Sequence, residues 1–355
     1  MIEPGATIGI LGGGQLGRMT ALAAASLGYR THVFCPEPDS PGKQVTPHAT
    51  TADYDDRDAL RRFAATVDVV TFEFENVPAD TAEILAALKP VRPAPAILRI
   101  AQDRLREKDF LRSIAVPTAP FRAVTGAAAL ADALHDIGPK VVLKTVRGGY
   151  DGKGQAMLDR ASDLAAAWRA IAADTAILEG YVDFDCEISV IIARGLDGTT
   201  ACYIPVENRH RHHILDSTTA PAPIAPALAC RAEEIALAVA ERLDLVGLLA
   251  VEMFVTRGGE VLVNELAPRP HNSGHWTIDA CRTSQFEQLV RAICGLPLGS
   301  PERHSNAVMT NLIGDDVDKW RDELAEPETK LHLYGKRHAR PGRKMGHATQ
   351  LLPLS

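Results

Sequence analysis

Short apolar runs alternate with amphipathic stretches along the first hundred residues, the pattern of strands alternating with helices. Residues 6–12 read as a strand, followed by a glycine-rich turn and a helix to about Ala25. The run "YRTHVFC" reads as a second strand, "DALRRFAATV" as a helix, "DVVTFEFE" (68–75) as a third strand and "PADTAEILAALK" as another helix. This order predicts a parallel α/β sheet with right-handed crossovers.

The pattern changes near residue 98. "QDRLREKDFLRSIAVPTAPF" reads as a charged helix ending in a proline-rich link. "PKVVLKTV" is a strand, "RGGYDGKGQ" a glycine-rich loop and "AMLD" a returning strand; a helix "ASDLAAAWRAIAA" and a strand "AILEGYV" follow. From 183 to 300, strands "CEISVIIAR" and "TTACYIPVEN", the helix "ALACRAEEIALAVAERLD" and two strands flanking Gly258 alternate, and the last fifty residues are short and turn-rich.

Composition narrows the class. The chain has 355 residues, 46% hydrophobic and 23% charged, enough for a sizeable core divided over two or three domains. A net charge of −7 without a long basic block argues against a nucleic-acid surface. The six cysteines form no C-x-x-C pair, as expected of scattered reduced thiols. Neither a signal peptide nor an apolar run long enough to span a bilayer is read, so the expectation is a cytoplasmic protein.

Candidate chemistry sits at five places. Gly12, Gly14 and Gly17 satisfy the dinucleotide fingerprint G-x-G-x-x-G, but the second strand ends "VFCPEPD", with Cys35 where a ribose-binding acid is expected. Lys144 ends a strand before a loop with glycines at 148, 149, 152 and 154, whose backbone can approach phosphate; no Walker A pattern can be placed there. In "AVEMFVTRGGEVLVNEL", a two-residue Gly258-Gly259 turn sets Glu252 directly across from Glu265. Two facing carboxylates repel. They persist most easily around a cation, and Mg²⁺ takes one or two carboxylates plus water and phosphate, with Asn264 as a further oxygen. In "LEGYVDFDCEISV", Glu187 is suited to ribose hydroxyls and the linker backbone to a purine edge. Arg269, His271, Asn272 and Ser273 crowd a proline-rich loop suited to an anion or carbonyl; "HRHH" at 210–213 lacks the spacing of a zinc site.

Together these segments resemble the ATP-grasp superfamily, and within it the N5-carboxyaminoimidazole ribonucleotide synthetase family. The strings that carry the likeness include "GILGGGQLGRM", "TFEFENV", "DRLREKDFL", "VLKTVRGGYDGKGQ", "EGYVDFDCEISV", "VENRHRHHIL", "VNELAPRPHNSGHWTIDAC" and "HLYGK…RPGRKMGH", spread over residues 8–347. The resemblance implies an ATP-grasp fold of α/β and α+β character. Its parts would be a Rossmann-like pre-ATP-grasp domain (1–98), a connecting helix and link (99–119), a small ATP-grasp lobe (120–182), a large lobe (183–300) and a β-rich C-terminal segment packed on the rest (301–355). In this family the N-terminal turn does not bind NAD and lies at the substrate site.

The resemblance also implies roles. ATP would be held by Arg104 and Lys144, by the loop Gly149, Tyr150, Asp151, Gly152, Lys153, Gly154 and Gln155, and by Glu179, Gly180, Tyr181, Val182, Glu187, His210, Asn264 and Glu265. Glu252 and Glu265 would hold Mg²⁺, with Mn²⁺ as an alternative. The substrates 5-aminoimidazole ribonucleotide (AIR) and bicarbonate would meet Gly14, Gln15, Leu16, Glu73, Tyr150, Arg269, His271, Asn272, Ser273, Lys336 and Arg343. Asp151, Lys153, Arg269, His271 and Asn272 would be catalytic, Asp151 either handling a proton at the amine or positioning it. Lys153 stands where the family often has Arg, which keeps the charge and loses the planar fork. The implied reaction phosphorylates bicarbonate to carboxyphosphate, and the AIR amine captures carboxyphosphate or CO2 released from it in a closed site; the implied assembly is a homodimer. The rivals are another ATP-grasp ligase using formate or biotin, an NAD-linked oxidoreductase, and a non-catalytic nucleotide-binding module.

Overall fold

The computed structural model describes residues 1–149 and 152–354. Tyr150 and Asp151, both named above as site residues, lie outside the described residues.

The N-terminal sheet is parallel throughout, in the spatial order His48–Thr50, Arg30–Phe34, Thr7–Leu11, Val69–Phe72. Thr7–Leu11 is buried along its whole length, as a central parallel strand covered on both faces must be. The helix Gln15–Ser26 returns over the sheet on Leu16, Met19, Ala21 and Ala24, and Asp56 caps the helix Arg57–Ala64 by accepting from Asp58 and Ala59 N–H. The third strand is shorter than its β-prone run: it stops at Phe72, and residues 73–75 turn out of the sheet.

A second, antiparallel sheet runs Phe121–Val124, Ala176–Gly180, Lys140–Thr145, Gln155–Asp159, covered by the helices Ala127–Ile137 and Leu164–Ile171.

The third sheet is the largest. Among the described residues its order is Val261–Ala267, Gly247–Thr256, Phe184–Arg194, Val206–Arg211, Ile214–Ala220, Asn306–Ile313, Lys344–Leu352, Thr329–Leu333, with Thr200–Cys202 beside Phe184–Arg194. Period-two alternation splits its central strand between two helices. Ile188, Val190 and Ile192 pack with Ile235, Ala236 and Val239 of Pro226–Arg242; Ile191 and Ala193 pack with Leu289, Val290 and Ile293 of Gln285–Cys294.

One expectation is corrected here. The strand read over "TTACYIPVEN" is broken in two between Cys202 and Val206, where Pro205 has no N–H to give to a ladder. The C-terminal β-rich segment packs on the rest through its strands: Asn306–Ile313 pairs with Ile214–Ala220 and continues the third sheet. All six cysteines are free, and no described helix is long and apolar enough to cross a membrane.

Candidate active site

The hairpin Gly247–Thr256/Val261–Ala267 does bring Glu252 opposite Glu265, by a route the residue pattern does not reveal. A two-residue diglycine turn would pair Met253 with Asn264. In the structure Met253 pairs with Val263, Phe254 with Leu262 and Val255 with Val261. The loop is three residues, Arg257 to Gly259, closed by Gly259 N–H to Thr256 O at 2.9 Å, with Gly259 at φ +76°. That is the hairpin loop that ends on a left-handed residue, a conformation glycine adopts without a Cβ penalty. A β-bulge between Met253 and Glu252 then restores the register, so that Asn264 and Glu265 together oppose Glu252. The shorter-loop assumption and the unforeseen bulge cancel.

The two carboxylates are electrostatically unequal. Burial pushes Glu252 up, but the charge and hydrogen bond of His271, whose Nε2 lies 2.8 Å from its Oε1, followed by His210 and Arg269, bring it down to about 2. Glu265 opens onto the cleft, yet surrounding protein atoms desolvate it; that and Glu252 push it up to about 7. An acid held above its ordinary range by a facing carboxylate marks a place where positive charge is wanted. The donors are hard oxygens, and among the described residues no group of three or more His, Cys, Asp or Glu side chains forms a protein-only cage. This set fits Mg²⁺, which completes its shell with water and phosphate.

The pair opens into a cleft of about 530 Å³ between the second and third sheets. Opposite it, Lys144 Nζ is 2.6 Å from Glu179 Oε2. Desolvation raises buried Glu179, but Lys108 and Lys144 reverse this and leave it below the usual range. The Arg104 guanidinium donates to Thr145 O at 3.0 Å and Gly149 O at 2.8 Å, tying the glycine-rich loop to its helix. His210 Nδ1 is 3.0 Å from Glu187 Oε2; burial lowers this histidine, and the glutamate more than compensates. Phe184 and Phe254 stack with centroids 4.7 Å apart and, with Val142 and Met157, supply an apolar wall. Gly149, Gly152, Lys153, Gln155, Gly180, Tyr181, Val182, Asn264, Arg269, His271 and Asn272 also line this space; Gly154 does not.

The loop after the hairpin is held from behind. His271 N–H donates to Gln285 Oε1 at 2.9 Å and Gln285 Nε2 to His271 O at 2.7 Å. Asn272 and Asn311 exchange amide hydrogen bonds of 3.0 and 2.6 Å. Ser273 is fully buried behind His271, 2.8 Å from its Nδ1, and accepts from Ser189; the structure places it in support of the loop and not in the cleft. Arg269 pairs with Glu75, which burial raises and this guanidinium brings below the usual range.

Glu73 answers the question the glycine fingerprint poses. Its carboxylate accepts from Gly14 N–H, and from Gly17 N–H at 2.7 Å, at the N-terminus of Gln15–Ser26. A Cβ at Gly12 would lie 2.4 Å from Glu73 Cγ, and one at Gly14 2.7 Å from its Oε1. An internal carboxylate thus occupies the place where a dinucleotide's pyrophosphate would sit on the helix end. Burial raises Glu73, while the two N–H groups, Arg269 and Lys336 pull it back. Lys336 donates to Lys344 O at 2.5 Å, and Arg343 to His338 O at 2.9 Å. Gly14, Gln15, Leu16, Glu73, Lys336 and Arg343 therefore form a group outside the lining of the main cleft, joined to it through Arg269 and Lys344.

Residue-type reasoning passed over Glu75, Glu107, Lys108, Asn208, Gln285 and Asn311. A signal existed for two of them: Arg104, Glu107 and Lys108 stand at i, i+3 and i+4 of one helix and share a face.

Comparison with known proteins places the whole chain. A ribonucleotide synthetase preATP-grasp domain matches residues 5–102, an ATP-grasp domain residues 109–286, and a phosphoribosylaminoimidazole carboxylase C-terminal domain residues 307–353. The N5-carboxyaminoimidazole ribonucleotide synthase of Brucella melitensis biotype 1 is 49% identical over 354 residues, covering 99% of this chain and 98% of that protein. The bifunctional purine synthesis protein purC/E of Dictyostelium discoideum is 49% identical over 372 residues, but this chain spans only 37% of its length while 99% of the chain is covered. A crystal structure of an N5-carboxyaminoimidazole ribonucleotide synthetase in complex with ADP superposes with a TM-score of 0.96 at 43% identity, over 99% of this chain and 93% of that one. The Aspergillus clavatus enzyme in complex with ADP and 5-aminoimidazole ribonucleotide gives 0.92 at 32% identity, over 98% and 94%. The expected fold and family are both met: the chain belongs to the N5-carboxyaminoimidazole ribonucleotide synthase family of ATP-grasp ligases.

Proposed function

We propose that this chain uses ATP and bicarbonate to carboxylate the exocyclic amine of AIR, giving N5-carboxyaminoimidazole ribonucleotide, ADP and phosphate. The observation that carries the reading is one cleft shared by a facing acid pair, Glu252 and Glu265, and the cations Lys144 and Arg269.

A bicarbonate oxygen attacks the γ-phosphorus of ATP, and the bond to the ADP oxygen breaks. Anion attacks anion in this step, so the site must supply positive charge that is already in place. Lys144 and Arg104 face the triphosphate, and the Phe184–Phe254 wall with the backbone through Val182 receives the base. Glu252 and Glu265, with Asn264, would hold Mg²⁺, which supplies Lewis-acid neutralisation of the phosphate oxygens. Arg269, held by Glu75, and His271 and Asn272, held by Gln285 and Asn311, orient bicarbonate. The amine of AIR then attacks the carboxyl carbon of carboxyphosphate, the carbon–oxygen bond to phosphate breaks, and the amine gives up its proton, with Asp151 as its acceptor or orienter. Water must be kept out meanwhile, a task suited to the loop 148–154, with Tyr150 and Lys153 toward the ribonucleotide. Lys336 and Arg343 bind its 5′-phosphate, and Gly14, Gln15, Leu16 and Glu73 form the floor beside it. Ser273 acts through His271.

The division at residues 98, 119, 182 and 300 and a cytoplasmic homodimer belong to the same reading; sedimentation velocity tests the dimer. The decisive assay is ADP release with each substrate omitted in turn. Release that requires AIR and bicarbonate together supports the proposal; release driven by formate or biotin instead overturns it.

A further inference from the structure

Val261–Ala267 is an edge strand, and at the bulge that sets Asn264 and Glu265 opposite Glu252 two successive carbonyls, of Val263 and Asn264, find partners off the sheet. Val263 N–H donates to Pro117 O at 2.8 Å, and the other partners come from a helix. From the helix Arg104–Ser113, Lys108 Nζ donates to Val263 O at 3.1 Å and to Asn264 O at 2.7 Å, while Glu107 Oε2 accepts from Leu266 N–H at 2.9 Å. Both side chains are almost completely enclosed, Glu107 2% and Lys108 1% exposed. Charged groups are rarely buried so deeply without being held by specific partners. Here they grip both sides of the bulged residue. Lys108 Nζ also lies 3.9 Å from Glu179 Oε1, so one ammonium links the hairpin to the Lys144–Glu179 pair across the cleft.

We infer that Glu107 and Lys108 are positioning residues that hold the Asn264 bulge open and so keep Glu265 on the cation-binding face beside Glu252. Relaxing the bulge slides the strand by one residue. That puts Asn264 alone opposite Glu252 and turns Glu265 to the other face, since side chains alternate with a period of two. The inference rests on the proposed role of Glu252 and Glu265 as cation ligands.

The test uses Mn²⁺ as the spectroscopic probe, titrated into the full chain with and without ADP and followed by electron paramagnetic resonance. Wild type binds Mn²⁺ in the ADP complex. Glu107→Leu removes the acceptor for Leu266 N–H and weakens that binding by about 10- to 100-fold, the usual range for residues that orient metal ligands. Glu107→Gln keeps an acceptor oxygen and retains near wild-type affinity. Hydrogen exchange gives a metal-free readout: the Leu266 amide loses protection in Glu107→Leu and keeps it in Glu107→Gln. Lys108→Met perturbs the bulge from its other side and shows the same loss of Mn²⁺ affinity, which covers the case of a Glu107→Leu variant that does not fold. Wild-type affinity in Glu107→Leu or in Lys108→Met overturns the inference, as does an equal loss in Glu107→Gln, which would assign the effect to charge. Absence of ADP-dependent Mn²⁺ binding in wild type overturns the cation reading itself, and the inference with it.

Discussion

Glu73→Gln tests whether the glycine turn is closed from within. In the structure each carboxylate oxygen takes one backbone N–H, from Gly14 and from Gly17, and the side chain is 7% exposed. Glutamine has nearly the same shape but one acceptor oxygen. One N–H must then face an NH₂ group, leaving a buried donor without a partner at a cost of about 1–3 kcal/mol. Removing a carboxyl whose desolvation already raises its pKa offsets part of that, so the net loss is about 1–2 kcal/mol. For a 355-residue chain that corresponds to a fall of about 1–3 °C in thermal midpoint, measured by calorimetry or circular dichroism. The pH dependence carries a sign. A folded-state pKa above the unfolded value contributes stability that is present at low pH and lost as the pH rises through the folded value. The gap between wild type and variant therefore narrows with increasing pH. Glu73→Ala vacates the position at the helix N-terminus, and added formate recovers part of its stability. A Glu73→Gln variant that melts with wild type at every pH would refute the reasoning, since a carboxylate swinging freely in solvent has no such partner to lose.

Three further outcomes follow from the site. Glu265→Gln leaves the fold intact and lowers ATP turnover, read as ADP release, by about 100-fold or more, beyond the loss typical of residues that only orient metal ligands; near-normal turnover removes the acid pair from the cation reading. Lys336→Ala raises the KM for AIR by about 10- to 100-fold, the worth of one hydrogen bond to a charged group. Burial, then Arg343, lowers wild-type Lys336 to about 8, so its charge is present below that pH and lost above it. Wild-type kcat/KM for AIR accordingly falls above about pH 8, a limb that Lys336→Ala lacks; an effect confined to ATP affinity places the residue in the wrong pocket. Asn311→Ala strands the Asn272 amide and Leu215 O, costing about 1–3 kcal/mol of stability. It also raises the KM for bicarbonate, and an unchanged KM disconnects that pair from the substrate loop.

The sheets and helices were legible because their signal is local. Burial of Thr7–Leu11 on both faces, and the opposite-face alternation in Phe184–Arg194, both follow from apolar periodicity within one segment. The site was legible only where chemistry concentrates in a run, as in "NELAPRPHNSGHW". Contacts between distant segments were not. Glu73 and the turn it closes are 56 and 59 residues apart, and Lys108 reaches carbonyls 155 and 156 residues away. The face that Lys108 shares with Arg104 hints at a role, but nothing local in this charged helix marks its burial, because what buries it is the distant hairpin that it holds.

The hairpin shows why a correct pairing is weaker evidence than it looks. Glu252 faces Glu265 whether the loop has two residues and the strand is regular, or the loop has three and the strand is bulged. The first case leaves Asn264 on the opposite face and turns only alternate carbonyls of this edge strand outward. The second sets Asn264 beside Glu265 and brings two successive carbonyls of this edge strand, at 263 and 264, to one ammonium. The second gives the buried Lys108 two adjacent carbonyls to hold, next to an acid pair that already repels itself. The same helix begins at Arg104, which grips the glycine-rich loop, and passes Lys108 beside Glu179. A single short helix thus touches the hairpin that carries the acid pair on one wall of the cleft and the Lys144–Glu179 pair on the other. A substitution at its buried face reaches both walls together, whereas one at Lys144 or Glu265 reaches only its own.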